Sequence, residues 1–141
     1  MGAGSAIAVA AVFVWLGMVT AISFIEAPLK FRATGVTLPI GLSIGRLVFR
    51  ALNSAETVLA AIVLVAVAVG SVPARVLPVI GLAAAVLLIQ LAVVRPRLTR
   101  RSNRVLAGEG VPRSPGHLAY IALELVKVVA LLVAGILLLA Q

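Results

Sequence analysis

Four acidic residues stand against twelve lysines and arginines in the 141-residue chain. Three of the four, Glu26, Glu56 and Glu124, fall inside or at the edge of apolar stretches, and Lys127 follows Glu124 by three residues. Ionisable groups in such surroundings are costly, so they face a protein interior or water and mark paths for ions, protons or solutes. Their spacing is helical. His117, Tyr120, Glu124 and Lys127 recur at steps of three, four and three, which at about 100° per residue confines them to an arc of about 80°. Arg46, Arg50, Asn53 and Thr57 repeat the pattern at four, three and four, with Glu56 on the flank. Ser23, Glu26 and Lys30 make a shorter stripe, and Gln90 is an isolated polar residue in the third apolar stretch.

The elements that must position these residues are membrane helices. With 63% hydrophobic residues and a mean hydropathy of +1.26, the chain offers four stretches near the roughly 20 residues that cross a bilayer. The expected architecture is all-α, a single membrane domain over residues 1–141, with spans at about 5–27, 47–70, 76–94 and 116–140. The first is expected to stop at Pro28, because the residue before a proline disfavours helix. In the second, the uninterrupted apolar run Val58 to Val69 covers only about 18 Å of a hydrocarbon core about 30 Å thick. Arg50, Asn53 and Glu56 must therefore be drawn into the membrane region. The third follows the turn Gly70-Ser71-Val72-Pro73, and the fourth begins at Ser114-Pro115, an N-cap with proline in the first helical position.

Basic residues orient the bundle. Lys30, Arg32, Arg46 and Arg50 lie around the first connection and Arg95, Arg97, Arg100, Arg101, Arg104 and Arg113 around the third, whereas the second holds only Arg75. Cytoplasmic connections carry the excess of Lys and Arg, so both termini are expected outside the cytoplasm, in a bacterial cytoplasmic (inner) membrane. The same topology accounts for the +8 formal charge without nucleic-acid binding, and the run Arg95 to Arg104 is suited to anionic lipid headgroups.

Several chemistries are disfavoured. There is no cysteine and a single histidine, so thiolate and multi-histidine metal sites are unavailable, and no metal or other cofactor is expected. No nucleophile with a base and an orienting acid, phosphate-cradling glycine loop or HExxH motif stands in the chain, so no catalytic residues and no enzyme activity are expected.

By helical rise, Glu56 and Glu124 fall in the cytoplasmic half of the core, with Glu26 and Gln90 near its margin. Polar groups from four helices can then meet in one layer, for which a cytoplasm-facing polar vestibule is the simplest geometry. The binding or proton-exchange candidates are Glu26, Glu56 and Glu124, the counter-charges Lys30, Arg50 and Lys127, and the remaining layer residues Asn53, Gln90, His117 and Tyr120. A static network remains the alternative, since Glu26, Glu56 and Glu124 nearly balance Lys30, Arg46, Arg50 and Lys127, with Glu124 and Lys127 paired at i,i+3. Two function classes follow: a protein that binds or moves a small solute or ion, or an accessory or scaffold subunit of a larger membrane complex. A cation site would leave carboxylates in excess, whereas an anion site would use the surplus basic groups. Trp15 reads as a packed core aromatic. Gly17/Ala21, Ala66/Gly70, Gly81/Ala85 and Ala130/Ala134 are small-residue pairs that permit close helix contact, within a homo-oligomer or with other membrane subunits.

The segment Phe24-Ile25-Glu26-Ala27-Pro28-Leu29-Lys30-Phe31, followed by Gly45-Arg46-Leu47-Val48-Phe49, resembles small bacterial four-helix membrane proteins distantly similar to copper-resistance-D-type membrane domains. The resemblance covers about the first half of the chain and implies a compact four-helix bundle. It carries no copper chemistry, because the histidines are missing. Length, helix number and a glutamate in the first helix are also similar to the small multidrug resistance family. Here, however, Glu26 lies at the end of its helix, and one Trp and one Tyr are too few for an aromatic drug pocket.

Overall fold

The computed structural model describes residues 1–109 and 115–141. Arg113 and Ser114, expected as a basic loop residue and a helix cap, lie outside the described residues. The described chain is all-helical, with helices α1 (Ala3–Lys30), α2 (Leu38–Val69), α3 (Ala74–Leu106) and α4 (Pro115–Leu139). Four helices are long and apolar enough to cross a membrane.

Pro28 does not end α1. The helix widens into a π-helical stretch at Thr20–Glu26 and continues as Ala27–Lys30. A proline in an α-helix loses its own N–H and strikes the carbonyl four residues back; a π-turn immediately before it opens the ladder, so the chain passes through. The same device recurs in α3, where the π-helical Gln90–Val94 is followed by twelve more helical residues, Arg95–Leu106, with Pro96 in their first turn. The basic run expected as a connection is therefore helical. It ends at Ala107-Gly108, where Gly108 N–H donates to Val105 O at 3.0 Å and Glu109 N–H to Arg104 O at 3.1 Å. This reciprocal C-terminal motif needs a left-handed residue, and Gly108 supplies it with φ +89.

α2 also starts earlier than the apolar pattern implies. Thr37 caps it, its side chain accepting from Ile40 N–H, and Pro39 sits in the first turn. The helix runs 32 residues, about 48 Å, so Arg46 and Arg50 are both helical and the first connection shrinks to residues 31–37.

The chain passes up and down, with α1 packed against α2 and α4, and α3 against α4 and α2. Ser5 Oγ donates to Gln141 Oε1 at 3.2 Å, and the backbones of Gly4 and Gly70 meet so closely that a Cβ on Gly4 would lie 3.0 Å from Gly70 Cα. Both termini and the α2–α3 turn therefore share one end. The half of the bundle next to that end is an apolar core of Ala8, Val12, Val63, Ala83, Leu131, Ala134 and Leu138 with their neighbours. Ala66 and the Ala130/Ala134 pair are buried there, as small-residue packing between membrane helices requires. Gly17, Ala21, Gly81 and Ala85 instead lie exposed on the outside of the bundle.

Candidate functional site: a buried charge cluster under a basic cavity

Below the apolar core, the polar residues converge from all four helices. Lys127 on α4 is fully buried, and its Nζ lies 2.6 Å from Glu56 Oε1 on α2 and 2.6 Å from Glu124 Oε1 on its own helix. The ammonium also donates to Gln90 Oε1 on α3 at 2.7 Å, and the Gln90 amide donates to Glu124 Oε1 at 2.8 Å. From α1, Trp15 Nε1 donates to Glu56 Oε1 at 3.1 Å. Ser23 Oγ, also on α1, donates to Glu124 Oε2 in a short hydrogen bond. The three protons of the ammonium thus have three acceptors, which is the satisfaction a buried charge requires. Two carboxylates share that one ammonium. With all three ionised the cluster carries one negative charge in excess, and Glu56 Oε2 is buried without a hydrogen-bond partner.

A half-open cavity of about 780 Å³ adjoins the cluster, between the end of α1 from Ser23 to Lys30 with Phe31 just beyond it, Gly41–Thr57 of α2, Leu91–Ser102 of α3 and His117–Glu124 of α4. Lys30, Arg46, Arg50, Arg95 and Arg101 line it, whereas the acidic side chain on its wall is Glu124. Arg46, Arg50 and Arg95 pair with no carboxylate among the described residues. Arg95 is held by ring faces instead, its Cζ 4.9 Å from the Phe49 centroid and 5.5 Å from that of Tyr120. Phe49 and Tyr120 meet edge to face at 5.7 Å, and Lys30 Nζ lies 5.7 Å from the Phe49 and Phe31 rings. Cations seated on ring faces remain oriented without an acid to neutralise them. Three buried oxygens that line the cavity, Asn53 Oδ1, Ser102 Oγ and the Tyr120 hydroxyl, have no hydrogen-bond partner among the described residues.

Gly41 and Gly45, one helical turn apart on α2, make room for the end of α1. A Cβ on Gly41 would collide with the Phe31 ring, and one on Gly45 would meet Lys30 Nζ at 2.9 Å. These glycines set the seam along which Lys30 and Phe31 form the cavity wall.

The expected layer is thus partly redistributed. Glu56, Glu124, Lys127 and Gln90 come together, while Asn53, His117 and Tyr120 line the cavity. Glu26 does not join them: it pairs with Lys30 at 3.6 Å, is 35% exposed at its side chain and stands apart from the cavity lining. Nor is Arg50 the counter-charge of Glu56. Six residues rotate a helix by about 600°, which places the two side chains about 120° apart, and Arg50 is exposed on the cavity side. Trp15, expected only to pack, is a donor to the cluster; its position four and eight residues before Val19 and Ser23 puts it on the face that carries Ser23. Phe49 and Arg95 were not singled out as ligand-facing. Phe49 is legible from its place between Arg46 and Asn53 on one helical face, whereas Arg95 required knowing that α3 passes through Pro96.

Comparison of the chain with protein-family models, curated proteins and solved structures gives no match, so nothing there bears on the copper-resistance-D-type resemblance.

Proposed function

We propose that this is a membrane-embedded binding protein for small organic anions, which enter the cavity from the cytoplasmic side. The observation that carries this reading is the set of three arginines, Arg46, Arg50 and Arg95, on the wall of a cavity of about 780 Å³ with no carboxylate paired to them among the described residues. Its volume falls within the range of about 300–1,000 Å³ typical of small-molecule sites. Planar guanidinium groups suit carboxylate, sulfonate or phosphate oxygens, and the rings of Phe31, Phe49 and Tyr120 suit an apolar or aromatic body. A cation site is disfavoured because the acid on the wall, Glu124, is already held by Lys127. The excess of basic residues at this end supports a cytoplasmic opening.

The test is equilibrium dialysis of the detergent-purified protein against benzenesulfonate and against trimethylphenylammonium, ligands of similar size and opposite charge. Saturable binding of the sulfonate alone, weakened at least about tenfold in Arg50→Gln/Arg95→Gln, fits the loss of charge-assisted hydrogen bonds of about 1.5–3 kcal/mol each. Preference for the ammonium, or no binding of either, would refute the anion reading.

The accessory-subunit alternative draws on the outward-facing Gly17/Ala21 and Gly81/Ala85 pairs, which permit another helix to approach. Native mass measurement after gentle extraction tests it: a stable complex with unrelated subunits supports it, and a monomer or pure homo-oligomer counts against it.

A further inference from the structure

Glu124 belongs to both halves of the site. Its Oε1 is tied to Lys127 and Gln90, and its Oε2 accepts from Ser23, a residue that lines the cavity as Glu124 itself does. Glu56 is sealed behind Trp15 and Lys127, fully buried and away from the cavity lining. The cluster contains two carboxylates, one ammonium and a neutral amide. In a low-dielectric layer an uncompensated charge is expensive, and one proton on either carboxylate removes it. Glu124 Oε2 is the place where a proton has both a partner and a route. A protonated Oε2 donates to Ser23 Oγ, whose hydroxyl turns from donor to acceptor, and the cavity connects the site to water. Glu56 meanwhile keeps its bonds to Lys127 and Trp15.

Resting on the anion reading above, we infer that Glu124 carries one exchangeable proton, and that an anion entering the cavity is bound together with it. The step balances simply: a hydronium ion from solution gives its proton to the Glu124 carboxylate, leaving the neutral acid and one water, while the anion settles against Arg46, Arg50 and Arg95. The linkage follows from position. Ionised Glu124 sets a negative charge on the anion's own cavity; protonation removes it, and by reciprocity a bound anion raises the affinity for the proton. The charged and titratable groups around Glu124 are Glu56 from α2, Arg95 from α3, and Tyr120, Lys127 and His117 on α4, with Lys30, Arg46, Arg50 and Arg101 also on the cavity wall. Ser23 is its neighbour from α1 and Gln90 from α3. Of these, His117 is the one whose ordinary titration lies near neutrality, so it must be controlled.

The experiment measures benzenesulfonate affinity of the full-length protein in detergent across about pH 4 to 9, where carboxylic acids and histidine change charge. Sulfonate keeps its charge throughout. Affinity is expected to fall as pH rises, by about 5- to 150-fold in total, the usual size of a coupling between two sites. Glu124→Gln, an isostere of the neutral acid, should bind with the wild type's low-pH affinity at every pH, and His117→Gln should retain the wild-type slope. Difference infrared spectra, which need no anion, should show a titrating carboxylic acid C=O band that Glu124→Gln lacks. Binding that is independent of pH, or a slope that His117→Gln abolishes and Glu124→Gln keeps, overturns the linkage while leaving the anion reading intact. Failure to bind sulfonate at any pH overturns that reading and the linkage together. An infrared titration with no such band overturns the proton site whatever the binding result.

Discussion

Lys127 Nζ and Glu56 Oε1 lie 2.6 Å apart with both side chains fully buried, joining α4 to α2 across the interior although these two helices pack mainly against α1 and α3. The lysine stem crosses the bundle so that one ammonium can serve two carboxylates. The pair is consequently not the neutral Glu124–Lys127 unit that the i,i+3 spacing suggests. It is part of a network in which every helix contributes a donor or an acceptor, and this changes what substitutions should do.

Lys127→Met should destabilise the protein by about 3–5 kcal/mol, the usual cost of removing one partner from a buried ionic network. Glu124→Leu/Lys127→Met should not restore stability, because Glu56 and Gln90 would remain buried without the ammonium. The triple variant Glu56→Gln/Glu124→Gln/Lys127→Met should recover most of the loss. Denaturant unfolding in mixed micelles measures all three. Equal stability of the double and triple variants would show that Glu56 does not depend on Lys127.

Trp15→Phe keeps a ring in the core but deletes the donor to Glu56. A hydrogen bond to a charged group is worth about 1.5–3 kcal/mol, so a loss of that order is expected, falling to about a third of it when Glu56 is already Gln and the acceptor is neutral. A double-mutant cycle checks this. Additive losses would mean that Trp15 acts through packing alone.

Much of this arrangement was legible in the chain. Helix number, the polar stripes and the meeting of Glu56, Gln90, Glu124 and Lys127 follow from periodicity and from the cost of charge in an apolar layer. Partner choice did not follow. Glu56 stands about one and two-thirds turns beyond Arg50, but which helix face meets Lys127 depends on how the helices are rotated in the bundle. Pro28 reads as a helix end and the third span as stopping near Val94, yet a π-turn before Pro28 and another before Pro96 carry each helix onward. That hid the extension of α3 bearing Arg95 and its share of the cavity wall.

The α1–α2 seam gives a graded prediction. Gly45→Ala should change sulfonate affinity less than about threefold, since its Cβ meets only the flexible end of Lys30. Gly41→Ala displaces the Phe31 ring from the cavity wall and should weaken binding by about tenfold, because overpacking forces shifts costing about 1–3 kcal/mol. Dialysis of the two variants side by side checks the order; a reversed order would place the ligand away from this seam.

Topology has its own test. Ser71 follows α2 at the end near both termini, and Thr99 lies in the extension of α3 on the cavity wall. The basic-residue rule puts Thr99 on the cytoplasmic side. In intact cells an impermeant thiol reagent should therefore label a Ser71→Cys variant and spare Thr99→Cys. The opposite pattern would invert the bundle and open the cavity outward.

If the basic cavity is an anion site, a bound anion must be found inside it. Crystals grown with 4-bromobenzenesulfonate, measured at the bromine absorption edge, should show an anomalous peak inside the cavity beside Phe49 and Tyr120, with the sulfonate oxygens directed at the Arg95 guanidinium. A peak confined to the outer arginines between Arg97 and Arg104, or an empty cavity at saturating ligand, would rule the cavity out as the anion site.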